Sequence, residues 1–197
     1  MEARQLTDVS DDPRELDRLA DRLRPAVNRA AILSRFEALF RAGTRPDPSP
    51  QGFLPGRLLA TSTVTLVDSF ALRLAQAWMP WQGKSFDAAS MTGVNRFTQT
   101  AGTRAAFKVV FPGYVPVLSA ADRIEAFPFR NRFGPGEIDP AVEVLKIDYD
   151  FEANPSFLIR RILDELVQVA PGRYLGRVLL RVSGRFRAIG FFSLRTP

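Results

Sequence analysis

Two residue types are missing from this chain altogether. There is no cysteine, so disulfides, thiolate ligands and thiol nucleophiles are excluded. There is no histidine, so the usual near-neutral acid–base group and the commonest transition-metal ligand are gone as well. A Ser-His-Asp hydrolase, a zinc hydrolase and a histidine-ligated haem protein are ruled out. Acid–base work would fall to Asp, Glu, Tyr, Lys, Arg or water. No apolar run approaches the roughly 20 residues that span a bilayer. The start, Met1-Glu2-Ala3-Arg4-Gln5, leads into polar residues and not into an apolar signal region. The expectation is a soluble cytoplasmic protein. No Walker A loop, Rossmann fingerprint, His-Glu-x-x-His, nucleophile elbow or EF-hand loop occurs, and no cofactor or metal site is expected.

What is present is an ordinary globular composition with a basic balance, net charge +6 over 197 residues. That length suits one domain, or one domain with an appendage. The basic residues are almost all arginine and lie scattered along the chain. Nucleic-acid binding would need them clustered around a reading motif, so no nucleic-acid partner is expected. Sixteen phenylalanines against three tyrosines and two tryptophans make an oily aromatic set, suited to a core or to an apolar cavity.

Residues 1–11 read as disordered. Asp12-Pro13-Arg14-Glu15 has the form of a helix start. Leu16, Leu19, Ala20 and Leu23, then Val27 through Phe40, continue an apolar face until Gly43. Residues 1–43 are thus expected to be a helical extension, with the helices at 13–42 as the candidate homodimer surface. Residues 44–53 are a proline-rich linker, and 54–197 the main domain. Within it, Leu54-Pro55-Gly56 reads as a turn. Leu66, Phe70, Leu74 and Trp78 share one helical face, which predicts a helix over 66–79. Residues 80–87 read as a loop closing over something apolar.

From Val94 the pattern is β. Strands are expected at 94–100, 104–111, 122–130, 142–151, 163–169, 174–182 and 185–194, with another at 57–63. Eight short strands with hairpin-length connections suit a closed antiparallel, lipocalin-like barrel able to hold one small ligand. The fold class is therefore mainly β. The strand at 142–151 alternates best: Leu145, Ile147, Tyr149 and Phe151 on one face, Lys146, Asp148 and Asp150 on the other. Which face points inward is open.

Asp148 and Asp150 with Asp164 and Glu165 form two acidic pairs that could meet across neighbouring strands. Close carboxylates raise one pKa and so make a proton donor or base. These four, with Tyr149 as hydrogen-bond donor, are the candidate catalytic residues. Pairing with Arg160, Arg161 or Arg177 is the plainer alternative. Asn154-Pro155 reads as the start of a short helix through Arg161. Trp81, Lys84, Phe127, Phe129, Arg160 and Tyr174 are the candidate ligand-binding residues.

Several of these residues also carry a resemblance. Trp81-x-Gly83-Lys84-x-Phe86, Asn95, Leu145-x-x-Asp148-Tyr149-Asp150, Asn154-Pro155, Ile159-Arg160-x-Ile162-x-Asp164-Glu165 and Tyr174-Leu175-Gly176 resemble the motif order of a group of uncharacterised bacterial proteins. The Trp-x-Gly-Lys-x-Phe element is similar to one in lipocalin-like proteins of the GXWXG type. The resemblance covers about residues 54–194 and implies a calycin-like barrel. It brings no activity. The expected function is binding of a small hydrophobic molecule inside the barrel. The alternative is a cofactor-independent cyclase or isomerase of a polyketide- or terpenoid-like substrate, worked by the carboxylates and Tyr149.

Overall fold

The computed structural model describes residues 29–61, 80–156 and 158–197, together with Arg18. The expected helix over 66–79 and the expected disorder over 1–11 lie outside the described residues. So does most of 13–28.

Among the described residues nine strands form one antiparallel sheet: β1 (Gly52–Thr61), β2 (Trp81–Asp87), β3 (Thr92–Thr98), β4 (Leu118–Ser119), β5 (Arg123–Pro135), β6 (Glu143–Asp148), β7 (Ile162–Ala170), β8 (Arg173–Val182) and β9 (Arg185–Arg195). Their spatial order is β3-β2-β1-β9-β8-β7-β6-β5-β4, and β3 also pairs with β5. That pairing closes eight strands into a barrel and leaves β4 as a two-residue addition. Closure removes the free edges that an open sheet would expose. The expected fold class holds. The long strand β5 makes the closure: its first half pairs with β3, its second half with β6.

Strands β1 and β6 to β9 divide their apolar residues between two clusters. The lumen holds Leu54, Trp81, Phe86, Phe97, Phe127, Phe129, Leu145, Ile147, Tyr149, Leu166, Val178 and Phe192, among others. The second cluster lies on the outer wall, where Val144, Val167, Leu175 and Phe191 meet the helix α1 (Arg29–Ala42). Ile32, Phe36, Leu39 and Phe40 supply the helix side at the i, i+4, i+7, i+8 spacing of one apolar stripe. Gly43 ends α1, its N–H bonding to the carbonyls of Leu39 and Phe40 at 3.0 and 3.2 Å. The apolar face of 29–42 is thus spent within the chain, on β7 and β8.

Three local expectations are corrected, and the first two offset each other in the strand count. Residues 104–111 are not a strand. They belong to helix α2 (Ala101–Val110), capped by Thr100, whose hydroxyl accepts from the Thr103 N–H at 3.0 Å. Thr103, Phe107 and Phe111 are all buried. That four-residue spacing is helical, and burying the two rings over the barrel's end outweighs the β-propensity of Val109 and Val110. Residues 81–87, expected as a loop, are strand β2. The register of β2 on β3 slips between Trp81 and Gly83, a bulge that shifts which residues face inward. Trp81, Lys84 and Phe86 therefore all reach the interior, although their numbers do not alternate. Residues 54–56 are likewise strand, not turn: Leu54 and Pro55 pair with Lys84 and Gly83.

Gly83 makes the bulge feasible. Its φ is +145°, and a Cβ there would run into the Leu54 carbonyl of the neighbouring strand. Gly83→Ala is expected to lower stability by about 1–3 kcal/mol, read as a fall in the urea midpoint with m unchanged.

Candidate functional site

Among the described residues the lumen contains one polar cluster, built from opposite sides of the barrel. Lys84 stands on β2 and Asp164 on β7, four strands apart in either direction round the ring. Their side chains meet across the interior, Lys84 Nζ to Asp164 Oδ2 at 2.9 Å, both fully buried. Lys84 Nζ also donates to Asn95 Oδ1 at 2.9 Å and to the Tyr149 hydroxyl. Asn95 is the cross-strand partner of Lys84 on β3, which accounts for that contact. Tyr149, just beyond β6, donates to Asp164 Oδ2 at 3.0 Å. Asn95 Nδ2 donates to the Tyr149 oxygen at 3.1 Å, and Trp81 Nε1 donates to Asn95 Oδ1 at 3.1 Å. The rings of Trp81, Phe129, Tyr149 and Phe192 stand 5.0 to 5.5 Å from the ammonium, close enough for cation–π attraction. Asp164 Oδ1 is buried and accepts no hydrogen bond among the described residues.

Burial sets the electrostatics. Loss of solvent pushes the Lys84 ammonium below its ordinary value, against the pull of Asp164. Loss of solvent likewise raises Asp164, against Lys84 and Tyr149. Burial and then the Asp164 charge raise the Tyr149 hydroxyl well above its usual range. Acid and base have thus moved toward each other, which makes the proton they share easier to transfer.

A second feature lies close by. A cleft of about 620 Å³ is lined by Phe111, Tyr114, Val115, Asn154 and Pro155, among others. Two short chains of contacts join it to the cluster. Asn154 Nδ2 donates to the carbonyl of Tyr149 at 2.9 Å. Tyr114 stacks on Phe127 with centroids 5.0 Å apart and accepts from the Phe127 N–H at 2.6 Å. Burial raises the Tyr114 hydroxyl to about 12. Phe127 in turn gives its carbonyl to Asn95 Nδ2 at 3.2 Å. Phe127 has φ +56°, a left-handed conformation that is costly for a bulky residue. It sits in β5 where the register on β3 shifts. In the same segment as the cleft, Val109, Val115, Val117 and Leu118 are exposed to solvent.

The expected site residues therefore divide. Trp81, Lys84, Phe129, Tyr149 and Asp164 come together in the lumen. Phe127 lies between cluster and cleft. Tyr174 joins the inner apolar cluster, and burial raises its hydroxyl. The other four are elsewhere. Asp148 faces outward to Arg132 at 3.4 Å. Asp150 pairs with Arg160 at 2.7 Å near the surface. Glu165 is buried on the outer wall, where Arg177 holds it at 2.7 Å. The two acidic pairs do not meet as pairs, because consecutive strand residues face opposite sides. Ile147, not Asp148, is opposite Asp164. Asn154 caps no helix. Its side chain donates to the carbonyls of Pro128 and Tyr149, and only Ile159–Arg161 forms a short 3-10 turn.

Asn95 stands in the motif order but carries no expected role. Arg177, expected as an alternative partner of the acidic residues, is fully buried and serves three carboxylates: Glu165, Asp139 at 2.5 Å and Glu37 of α1 at 3.0 Å. Its guanidinium also lies 4.2 Å over the Phe40 ring. This outer cluster fastens α1 to the barrel. Burial alone would raise Asp139, but hydrogen bonds from Arg177 and Arg41 hold it below its ordinary 3.8. A carboxylate depressed in this way stabilises above its unfolded value and ceases to as pH falls through the folded one. Acidification below about 3.8 is therefore expected to loosen α1 first, seen as faster amide exchange in 29–42 than in β7 or β8.

Among the described residues no helix is long and apolar enough to cross a membrane, and no group of three potential ligands is placed to hold a metal ion. No family model and no curated protein matches the sequence. One solved structure, of a protein from Thermomonospora curvata, is similar over 91% of this chain and 99% of that one, at 14% identity and a TM-score of 0.44.

Proposed function

We propose that the protein is a calycin-like binding barrel for a small, mostly apolar molecule, whose one polar group is held by Lys84, Asp164, Tyr149 and Asn95. The observation that carries this is the charged pair that, with Asn95 and Tyr149, crosses a lumen walled mostly by apolar side chains. Burying two charges costs several kcal/mol per ion before their attraction is counted. Apolar side chains would fill the same space without that cost. The unpartnered Asp164 Oδ1 supports the reading, since a buried carboxylate oxygen ordinarily accepts a bond. Phe127, Phe129, Trp81 and Tyr174 supply apolar wall. The cleft and the exposed valines beside it in sequence form the entrance, with the Phe127–Tyr114 stack as the part that yields.

The test is native mass spectrometry with octanal, octanol and octanoate. A one-to-one complex with at least one probe is expected, weakened at least about tenfold in Lys84→Met/Asp164→Leu, the loss of one polar contact being worth about 1.4 kcal/mol or more. No complex with any probe, or equal complexes in the double variant, would overturn the reading. A second reading, acid–base catalysis on the same bound molecule, is favoured by the upward displacement of Asp164 inside the lumen. Turnover separates the two: a binding protein returns its ligand unchanged.

A further inference from the structure

The chain has 27 lysines and arginines, of which only Lys84, Lys108 and Lys146 are lysine. Lys108 is exposed on α2, and Lys146 lies on the outer wall, where Glu137 holds it at 2.6 Å. The third stands in the centre of the barrel. The other buried cations among the described residues, Arg177 and Lys146, lie on the outer wall beside carboxylates, so Lys84 is the buried cation of the lumen. An arginine cannot give up its proton, whereas a buried lysine can, and a neutral amine is a nucleophile. The choice at position 84 is therefore a choice of chemistry as well as of charge.

From the placement of the Lys84 amine between Asp164, Tyr149 and Asn95 inside an aromatic ring wall, we infer that the ligand is an aldehyde or ketone, held as an imine on Lys84. This rests on the binding reading above and narrows it to a chemical class. The steps balance within the cluster. The ammonium passes a proton to Asp164, 2.9 Å away. The amine adds to the carbonyl carbon, and the amine proton moves to the oxygen, giving a carbinolamine. Asp164 returns its proton to that hydroxyl, which leaves as water. The product is a protonated imine facing the Asp164 carboxylate, so the charge pair present at the start is present at the end. No oxidant or reductant takes part. Tyr149 and Asn95 can hold the carbonyl oxygen: the Tyr149 hydroxyl and Asn95 Nδ2 are both donors at the cluster. The lowered ammonium value agrees with this role. Among the described residues, the titratable groups facing Lys84 are Asp164 and Tyr149.

The experiment treats the full chain with octanal at neutral pH, adds cyanoborohydride to fix any imine as a secondary amine, and maps the adduct. Expected is an adduct at Lys84 at least about tenfold above that on Lys108 or Lys146, since a bound aldehyde is held beside the Lys84 amine while the others meet it only by collision, and burial favours the free amine there. The excess should shrink as pH rises toward the ordinary lysine value of 10.5. Lys84→Met/Asp164→Leu, which removes both charges and so leaves neither buried alone, should show only the background. Asp164→Asn should slow trapping without abolishing it. Octanal that binds in native mass spectrometry but gives no Lys84 adduct would overturn the imine and leave the binding barrel standing. Octanal, octanol and octanoate all failing to bind would overturn both. Labelling led by exposed Lys108 would overturn the imine alone.

Discussion

Asp164→Ala is expected to destabilise the protein by about 3–5 kcal/mol, whereas Lys84→Met/Asp164→Leu is expected to fold about as stably as the parent or better, by up to about 4 kcal/mol. The single change leaves an ammonium in a lumen of phenylalanine and leucine with the neutral oxygens of Asn95 and Tyr149 in place of a counter-charge. The double change removes both desolvation penalties and fills the space with apolar atoms. The sign of the pH dependence follows from Lys84. Its folded value lies below 10.5 with Asp164 present, and lower still without it. In Asp164→Ala the folded state therefore binds fewer protons at this group than the unfolded chain. Stability of the variant rises with pH through the alkaline range, and its deficit is largest at low pH. Urea unfolding at several pH values reads all of this. A double variant as unstable as the single one would mean that the pair holds the fold together, and the case for a ligand site would lose its main support.

Arg177→Ala should cost about the same, about 3–5 kcal/mol, by another route. It strands Glu165, which is fully buried on the outer wall and keeps only the Glu137 N–H at 2.5 Å. It also removes the links to Asp139 and to Glu37, and the cation over Phe40. The loss is therefore expected to appear as release of α1 from β7 and β8, with faster amide exchange across 29–42 and fast proteolysis there. Ligand binding in the lumen should change less than about threefold, because Arg177 and Asp164 stand on opposite faces of the wall. Arg177→Lys should recover little, since one ammonium cannot serve three carboxylates in the planes a guanidinium does. An α1 that stays protected in Arg177→Ala would contradict the clamp.

The contrast between these two clusters also explains what could be read in the sequence. The alternation over 142–151 put Tyr149 with Leu145 and Ile147, and the fold settles the open question: that face lines the lumen and Asp148 lies outside. Strands β7 and β8 hid their pattern because α1 covers their outer wall. Val167 and Leu175 are as buried as Leu166 and Val178, so both faces are apolar and the period of two disappears. Without it, Asp164 and Glu165 looked like one acidic pair. They are one inward and one outward charge, each with its own cation. Strand β2 hid for a different reason: the bulge at Gly83 breaks the alternation that would have marked Lys84 as an interior residue. Helix α2 was misread because Phe107-Lys108-Val109-Val110-Phe111 is rich in β-formers. Its helical signal, Thr103, Phe107 and Phe111 four apart, was legible and outweighed by composition. Pairing of Lys84 with Asp164 was not legible at all. It joins strands on opposite sides of a ring, a relation fixed only by closure.

The most direct measurement is the titration of lysine side chains by carbon-13 NMR with label at Cε, where three lysines give three signals. Expected is one signal, lost in Lys84→Met/Asp164→Leu, that titrates below 10.5 and shifts on addition of octanal while those of Lys108 and Lys146 stay in place. A Lys84 signal that titrates at the ordinary lysine value, and that neither octanal, octanol nor octanoate moves, would contradict a buried ligand-binding amine at the centre of the barrel.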